Sequence, residues 1–328
     1  MVKSIEPSPV DISSSIKKIG ILNSSKDSIQ NEYANRLEQL IYLEEQWLSE
    51  HGANAALTGL FNELSLDKRF DTVRILEDNQ AEKINFVANP DIDTWSKISK
   101  ICIDNDVDAI FALVTYDTET TFSLKKTKIY QYNMLREEVK VKGQEITLET
   151  LIENGWRIYD PHHRLLLDQF STNDQMVAIA AGENSTAAMQ AINNRRELLL
   201  DQNNTAGSTY AQRLQPSELE LERRYYAVGS SNFKLAHQFI EQGDFDAASE
   251  LWGEEIENPK AKLSARACFN LAILKEYNND IMAAIRWAKK SYQILQNDNT
   301  LDYIWALEQR QAQAVILDLQ LANTSFDY

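Results

Sequence analysis

Side chains able to hold a metal ion or move a proton crowd together in one place, Tyr159-Asp160-Pro161-His162-His163, which sets a carboxylate beside two imidazoles. A metal-dependent hydrolase built there would use Asp160 with His162 or His163 as ligands and activate a bound water. Adjacent histidines on a strand point to opposite faces, so both cannot reach one ion. No H-x-x-x-H or H-x-E spacing supports such a site. The plainer reading is a proline-containing turn between two strands. His51 and His237 are isolated. The chain has no G-x-S-x-G elbow, P-loop or G-x-G-x-x-G, and its acidic residues are scattered as on solvated faces. Arg195-Arg196 and Arg223-Arg224 read as helix-borne salt-bridge partners. Cys102 and Cys268 lie far apart in apolar strings, as buried thiols do. The expectation is a protein without cofactor or metal, with no catalytic residue assigned.

The elements that would carry these residues change character along the chain. Residues 1–15, with Pro7, Pro9 and Ser13-Ser14-Ser15, read as an extended leader or tether. A strand follows at Ile16–Asn23. Helices are expected over 31–50 and 53–65, a strand at Phe70–Leu76, and a helix to about residue 104 capped by Asp93 or Thr94. Val107–Val114 is almost continuously apolar, as a strand buried on both faces is. Further strands are expected over 121–142 and 155–170, with Gly143 at a turn and Leu148–Ile152 either helix or strand. Trp156 should fill the core and Arg157 pair with Asp160 or a neighbouring acid, in preference to Trp156, Arg157, Tyr159 and Asp160 forming a functional surface. The fold class is therefore a two-domain α+β/α chain: a mixed α/β sheet domain over 16–182, then an all-α domain over 183–328. In the second domain Ser185 or Thr186 caps a helix running through Leu199, Gly207 breaks the pattern, and 218–325 is helical with short interruptions.

The helical part repeats. Leu235-Ala236 through Gly243-Asp244 to Ala247-Ala248 returns as Leu271-Ala272 through Asn279-Asp280 to Ala283-Ala284, an offset of 36 residues from Leu235 to Leu271. This resembles the tetratricopeptide repeat, a helix-turn-helix unit of about 34 residues. Gly243 and Asn279 suit the left-handed turn that ends a first helix, and Ala248 and Ala284 suit a close helix crossing. Two repeats, about 230–264 and 266–300, would be closed by a capping helix carrying Ile304, Trp305, Val315 and Leu319. The first helices then line a groove of Phe233, His237, Ile240, Arg266, Phe269, Ile273 and Tyr277, suited to a protein or peptide partner. These residues could instead pack on the chain's own last helix, its N-terminal domain or a second subunit.

The chain has 328 residues and a formal net charge of -16. That balance opposes nucleic-acid binding and contact with anionic lipid. No stretch of about 18 apolar residues is present, and Met1–Pro7 has no apolar h-region. The strings Glu6-Pro7-Ser8-Pro9-Val10 leading into Ile16–Asn23, Gly155-Trp156-Arg157-Ile158-Tyr159-Asp160-Pro161, Tyr210–Pro216 and Glu222-Arg223-Arg224-Tyr225-Tyr226 resemble a family of predicted cell-envelope lipoproteins of Bacteroidota. That family has a C-terminal tetratricopeptide region and no assigned activity. The resemblance implies a lipid-anchored periplasmic or outer-membrane protein, with the leader as its tether, and carries over no catalytic residue. The function expected is a non-enzymatic adaptor or scaffold, with a metal-dependent hydrolase or a subunit of a homo-oligomer as alternatives.

Overall fold

The computed structural model describes residues 2–25, 36–77, 84, 86–132, 135–192 and 194–324. The expected helical turns at 31–35 and position 325 lie outside these residues. The chain divides into two compact units, one of residues 10–214 and one joining the first nine residues to the chain from Gln215 onward.

The unit over 10–214 is built on a mixed five-stranded sheet of order β3-β2-β4-β5-β6. Strands β2 (Lys18–Asn23), β3 (Thr72–Ile75) and the start of β4 (Ala109–Tyr132) run parallel. Helix α1 (Arg36–Leu66) links the first two, and α2 (Ile92–Asn105) comes before the third. Strand period then fixes the layers. Ile19, Ile21, Phe111 and Leu113 face α1, while Leu22, Ile110 and Ala112 face α2 with its Trp95, Ile98 and Ile101. A register shift between Leu113 and Thr115 changes the parity, so Tyr116 and Ile152 rejoin the α1 side. Strand β4 then continues antiparallel to β5 (Glu138–Asp160), which pairs with β6 (Leu165–Gly182).

Several expectations fail here for identifiable reasons. The helices expected over 31–50 and 53–65 are one helix that runs straight through Gly52. Gly207 lies inside α4 (Arg195–Arg213) rather than ending it. A Cβ at Gly207 would meet the Ala56 carbonyl oxygen at 1.9 Å, and one at Gly59 would meet that of Asn204 at 1.9 Å. These two glycines let α1 and α4 cross backbone to backbone. Asp91, not Asp93 or Thr94, caps α2. Asn184 caps α3 (Ser185–Gln190), and the chain breaks before α4 at Asn194, whose φ is 59°. Gly143 is inside β5, which absorbs Leu148–Ile152 as strand.

The other unit begins with a strand where a tether was expected. β1 (Val2–Glu6) pairs antiparallel with β7 (Ser217–Leu221), burying Val2 and Ser4. Its partner is more than 200 positions away, so no local pattern announces it. Helix α4 likewise belongs to the sheet unit, which moves the domain boundary from 182 to about 214. After β7, residues 222–229 are extended, not helical. Five helices follow: α5 (Ser231–Glu241), α6 (Phe245–Glu254), α7 (Ala261–Tyr277), α8 (Ile281–Ile294) and α9 (Asp298–Thr324), each packed on the next. The turns α5–α6 and α7–α8 are alike. Gly243 has φ 80° and Asn279 φ 59°. Asp244 accepts from the Ala247 amide and Asp280 from the Ala283 amide, while Ala248 and Ala284 are fully buried. The chain is thus a sheet-containing α/β region followed by an all-helical region, α5–α9.

Candidate functional site

Several of the residues expected to form a partner groove are in contact with the chain's own segment 223–228, and others lie in the helix cores. That extended segment lies across α5 and α7. Tyr225 shares a hydrogen bond between its hydroxyl and His237 Nδ1, 2.7 Å, and packs beside Trp252. The Tyr226 amide donates to Asn270 Oδ1, and Asn270 Nδ2 donates back to the Tyr226 carbonyl, both at 2.8 Å. The Tyr226 ring also sits under the Arg266 guanidinium and edge-on to Phe269. Arg266 donates to the Val228 carbonyl. Phe233 and Ile273 are buried in the helix cores and Ile240 is half-buried against one of them. Tyr277 stays exposed and packs on Phe245. Apart from Tyr277, the expected groove residues are therefore contacted from within the chain.

The clamp closes on Glu276, whose side chain is fully buried. Arg223 donates twice to its carboxylate, at 2.8 and 2.9 Å, and the Tyr303 hydroxyl adds a third bond at 2.9 Å. Arg310 of α9 supplies a fourth. Burial pushes this carboxyl up, but the Arg223 bond and charge, the Tyr303 hydroxyl and the Arg310 charge outweigh it and hold the group below its ordinary value. Burial, then the carboxylate of Glu276, drives the Tyr303 phenol well up. One ionised carboxylate so ties the extended segment, α7 and α9 together. Sequence reading placed Arg223 on a helix and passed over Asn270 and Glu276. Their signal was polar residues standing inside the apolar run of α7, where nothing polar is needed for packing.

The Asp160 cluster has another use. Asp160 Oδ1 accepts the His162 and His163 amides at 2.9 and 3.2 Å, and Oδ2 bonds His163 Nδ1 at 2.7 Å. Residues 161–164 form the turn from β5 to β6, and the His162 ring sits edge-on to that of His163. The carboxylate is spent on this turn. Among the described residues no three or more His, Cys, Asp or Glu side chains are grouped to hold a metal ion. A cavity of about 780 Å³ beside the turn is lined by Cys102, Asp106, Asp108, Asp160 and His162 among others. It opens at the amino ends of β2 and β4, whereas ligand crevices in parallel sheets lie beyond the carboxyl ends. Asp108 there accepts the Lys17 and Lys18 amides, and Asp106 pairs with Lys18. Burial, with Asp108 and Asp160 nearby, pushes the Cys102 thiol up to about 12, so it is a protonated, poor nucleophile at neutral pH.

Trp156 fills the core against Tyr210, as expected. Arg157 does not pair with Asp160; it donates to the Phe86 carbonyl and to Gln169. Arg195 and Arg196 both pair with Glu44.

Fold and site together define a chain in which an α/β sheet unit is inserted into a unit of helical hairpins whose inner face is strapped by its own backbone. Residues 16–226 match the family described as Domain of unknown function (DUF8603), and the chain belongs to that family. Residues 234–309 match a second, Domain of unknown function (DUF6340). No curated protein matches. Among solved structures, a neuraminyllactose-binding hemagglutinin homolog from Helicobacter pylori aligns at 11% identity and a TM-score of 0.25, covering 72% of this chain and 96% of that one. No helix among the described residues is long and apolar enough to cross a membrane.

Proposed function

We propose that this protein is a non-enzymatic adaptor of the cell envelope that holds a protein partner against its tetratricopeptide-like helical unit. The matched turns at Gly243 and Asn279, each followed by an aspartate cap and a buried alanine pair, support the repeat reading. The envelope placement rests on the resemblance of the Glu6–Val10, Ile16–Asn23, Gly155–Pro161, Tyr210–Pro216 and Glu222–Tyr226 strings to predicted lipoproteins. Because the inner face is strapped, the partner surface moves to α9. That helix packs on α8 and no helix follows it among the described residues, and a helix in that position is expected to turn a polar face outward. Here Trp305, Val315, Ile316 and Leu319 fall within about 100° of arc on one face, at ~100° per residue, and are 49–64% exposed. This uncovered apolar stripe is the observation that carries the reading.

The test is a photo-crosslinking residue placed at Leu319 of the full chain, in the cell that makes it, beside light scattering on the purified protein. The expected result is cross-linking to one other protein from Leu319, none from Tyr277, loss of the adduct with Val315→Asp, and a monomer in isolation. A dimer whose adduct is a second copy would replace the adaptor with a homo-oligomer. No adduct from α9 would remove it.

A further inference from the structure

We propose that the core of the sheet unit, between β4–β6 and α4, is a binding site for a cluster of internal water molecules. This goes beyond the adaptor reading and concerns residues 10–214 alone.

A row of polar side chains runs through a core that packing alone would make apolar. Register sets Tyr116 opposite Asn154, Asn154 opposite Thr172, and Thr118 opposite Ile152. Tyr116, Ile152 and Trp156 belong to the face that packs on α1 and α4, and the period of two puts Thr118, Asn154 and Thr172 on that face with them. Asn154 is 0% exposed. Among the described residues neither its Oδ1 nor its Nδ2 has a hydrogen-bond partner. The same holds for the Tyr116 hydroxyl, Thr118 Oγ1, Trp156 Nε1, Thr172 Oγ1 and, from α4, Asn203 Oδ1. Only Trp252 Nε1, in the helical unit, is a further buried atom of this kind among the described residues. Buried polar atoms are as a rule satisfied, so a concentration of them on one face calls for a partner from outside the chain. The neighbouring part of that face shows satisfaction by protein, since Arg195 donates to both Thr120 and Thr150.

Helix α4 brings Asn203 to the row. Arg195 bonds Thr150 near its start, and Tyr210 stacks on Trp156 near its end. At ~1.5 Å per helical residue against ~3.3 Å per strand residue, Asn203 comes level with Asn154. A Cβ on Gly52 of α1 would stand 1.8 Å from the Tyr116 hydroxyl and 3.2 Å from Asn203 Nδ2. The phenol and the amide are therefore within about 5 Å of each other, the span of one bridging water.

The chemistry of the row selects the occupant. None of its members is charged at neutral pH, so a metal ion, a phosphate or a carboxylate would be buried there without counter-charge. Trp156 Nε1 and Asn154 Nδ2 donate, Asn154 Oδ1 and Asn203 Oδ1 accept, and the three hydroxyls do either. Water answers each of these and needs two to four such partners. Side chains directly across two strands stand about 5 Å apart, so one water reaches from each to the next. The close approach of Gly52 to Tyr116 leaves no place for an organic molecule between α1 and the phenol. Thr172 is half-buried on the edge strand β6 and gives the cluster its exit to solvent.

The experiment is water-selective NMR on the perdeuterated, amide-protonated full chain, with the Trp156 indole proton assigned by its loss in Trp156→Phe. Water cross-peaks should reach the Trp156 Nε1 proton and the Asn154 amide protons, with the rotating-frame sign that separates bound solvent from proton exchange. Asn154→Leu keeps the size of the side chain and removes its polar atoms. It should lower the urea midpoint, because it takes a partner from waters that still serve Tyr116, Trp156 and Thr172. Thr172→Val should lower it less. If the amide had no partner of any kind, leucine would be the better residue, and an unchanged or raised midpoint would overturn the proposal. Absence of water cross-peaks from both Trp156 and Asn154 in the wild type would also overturn it, whether or not the variants fold. So would a molecule heavier than water that native mass spectrometry finds on the wild type and not on Asn154→Leu.

Discussion

Asp160 and Glu276 are both buried carboxylates filled with donors, but the donors come from very different distances. Asp160 is satisfied within three residues, by the His162 and His163 amides and the His163 ring. Glu276 is satisfied by Arg223, Tyr303 and Arg310, which lie 53, 27 and 34 positions away. The first closes a turn that the strands already bring together. The second fixes where an extended segment and the last helix sit on α7. The same chemical group is thus a local brace in the sheet unit and a tertiary lock in the helical one.

Replacing Glu276 by Leu should give the largest effect, because it leaves Arg223 largely buried without an acceptor and Arg310 with only the distant Lys3 carbonyl. A loss of about 3–5 kcal/mol is expected, read from the urea midpoint of the helical unit. The lock should also depend on pH. Glu276 is held below its ordinary value of 4.5 in the folded chain. Its contribution is therefore complete above that value and disappears as pH falls through the lower folded one. The gap in midpoint between wild type and Glu276→Gln should narrow below about pH 4.5; a constant gap would show that the charge is not what locks the segment. Asn270→Ala should cost about 1–3 kcal/mol by stranding the Tyr226 amide and carbonyl, and hydrogen exchange should quicken over 223–228 while the sheet unit is unaffected. Asp160→Asn should cost least, about 1 kcal/mol or less, since an amide oxygen still accepts the two turn amides. If Asp160→Asn proved as costly as Glu276→Leu, the contrast between brace and lock would fall.

Legibility in the sequence followed the same division between near and far. The buried strand at Val107–Val114, the alternation of β2, α1, β3, α2 and β4, and the paired helices about Gly243 and Asn279 are written in local period and turn chemistry, and they were read. The strand Val2–Glu6 and the segment 222–229 were not, since each is held by partners distant in sequence. Gly52 and Gly207 misled because a glycine within a helix looks like a break until the neighbouring helix that needs it is known. That segment 223–228 lies against several of the expected groove residues depends on Asn270 and Glu276, which a periodicity count registers only as polar interruptions.

The pairing of β1 with β7 has a consequence for how the molecule is made. The first strand leaves the ribosome long before Ser217–Leu221 exists, and joining them across roughly 200 intervening residues would cost about 5 kcal/mol in loop-closure entropy if those residues were unstructured. Val10 and Leu214 both belong to the core of the sheet unit. Once that unit has folded during synthesis, Pro9 and Gln215 emerge from one body, and the remaining closure is short. The helical unit, though it owns β1, is the last to be completed.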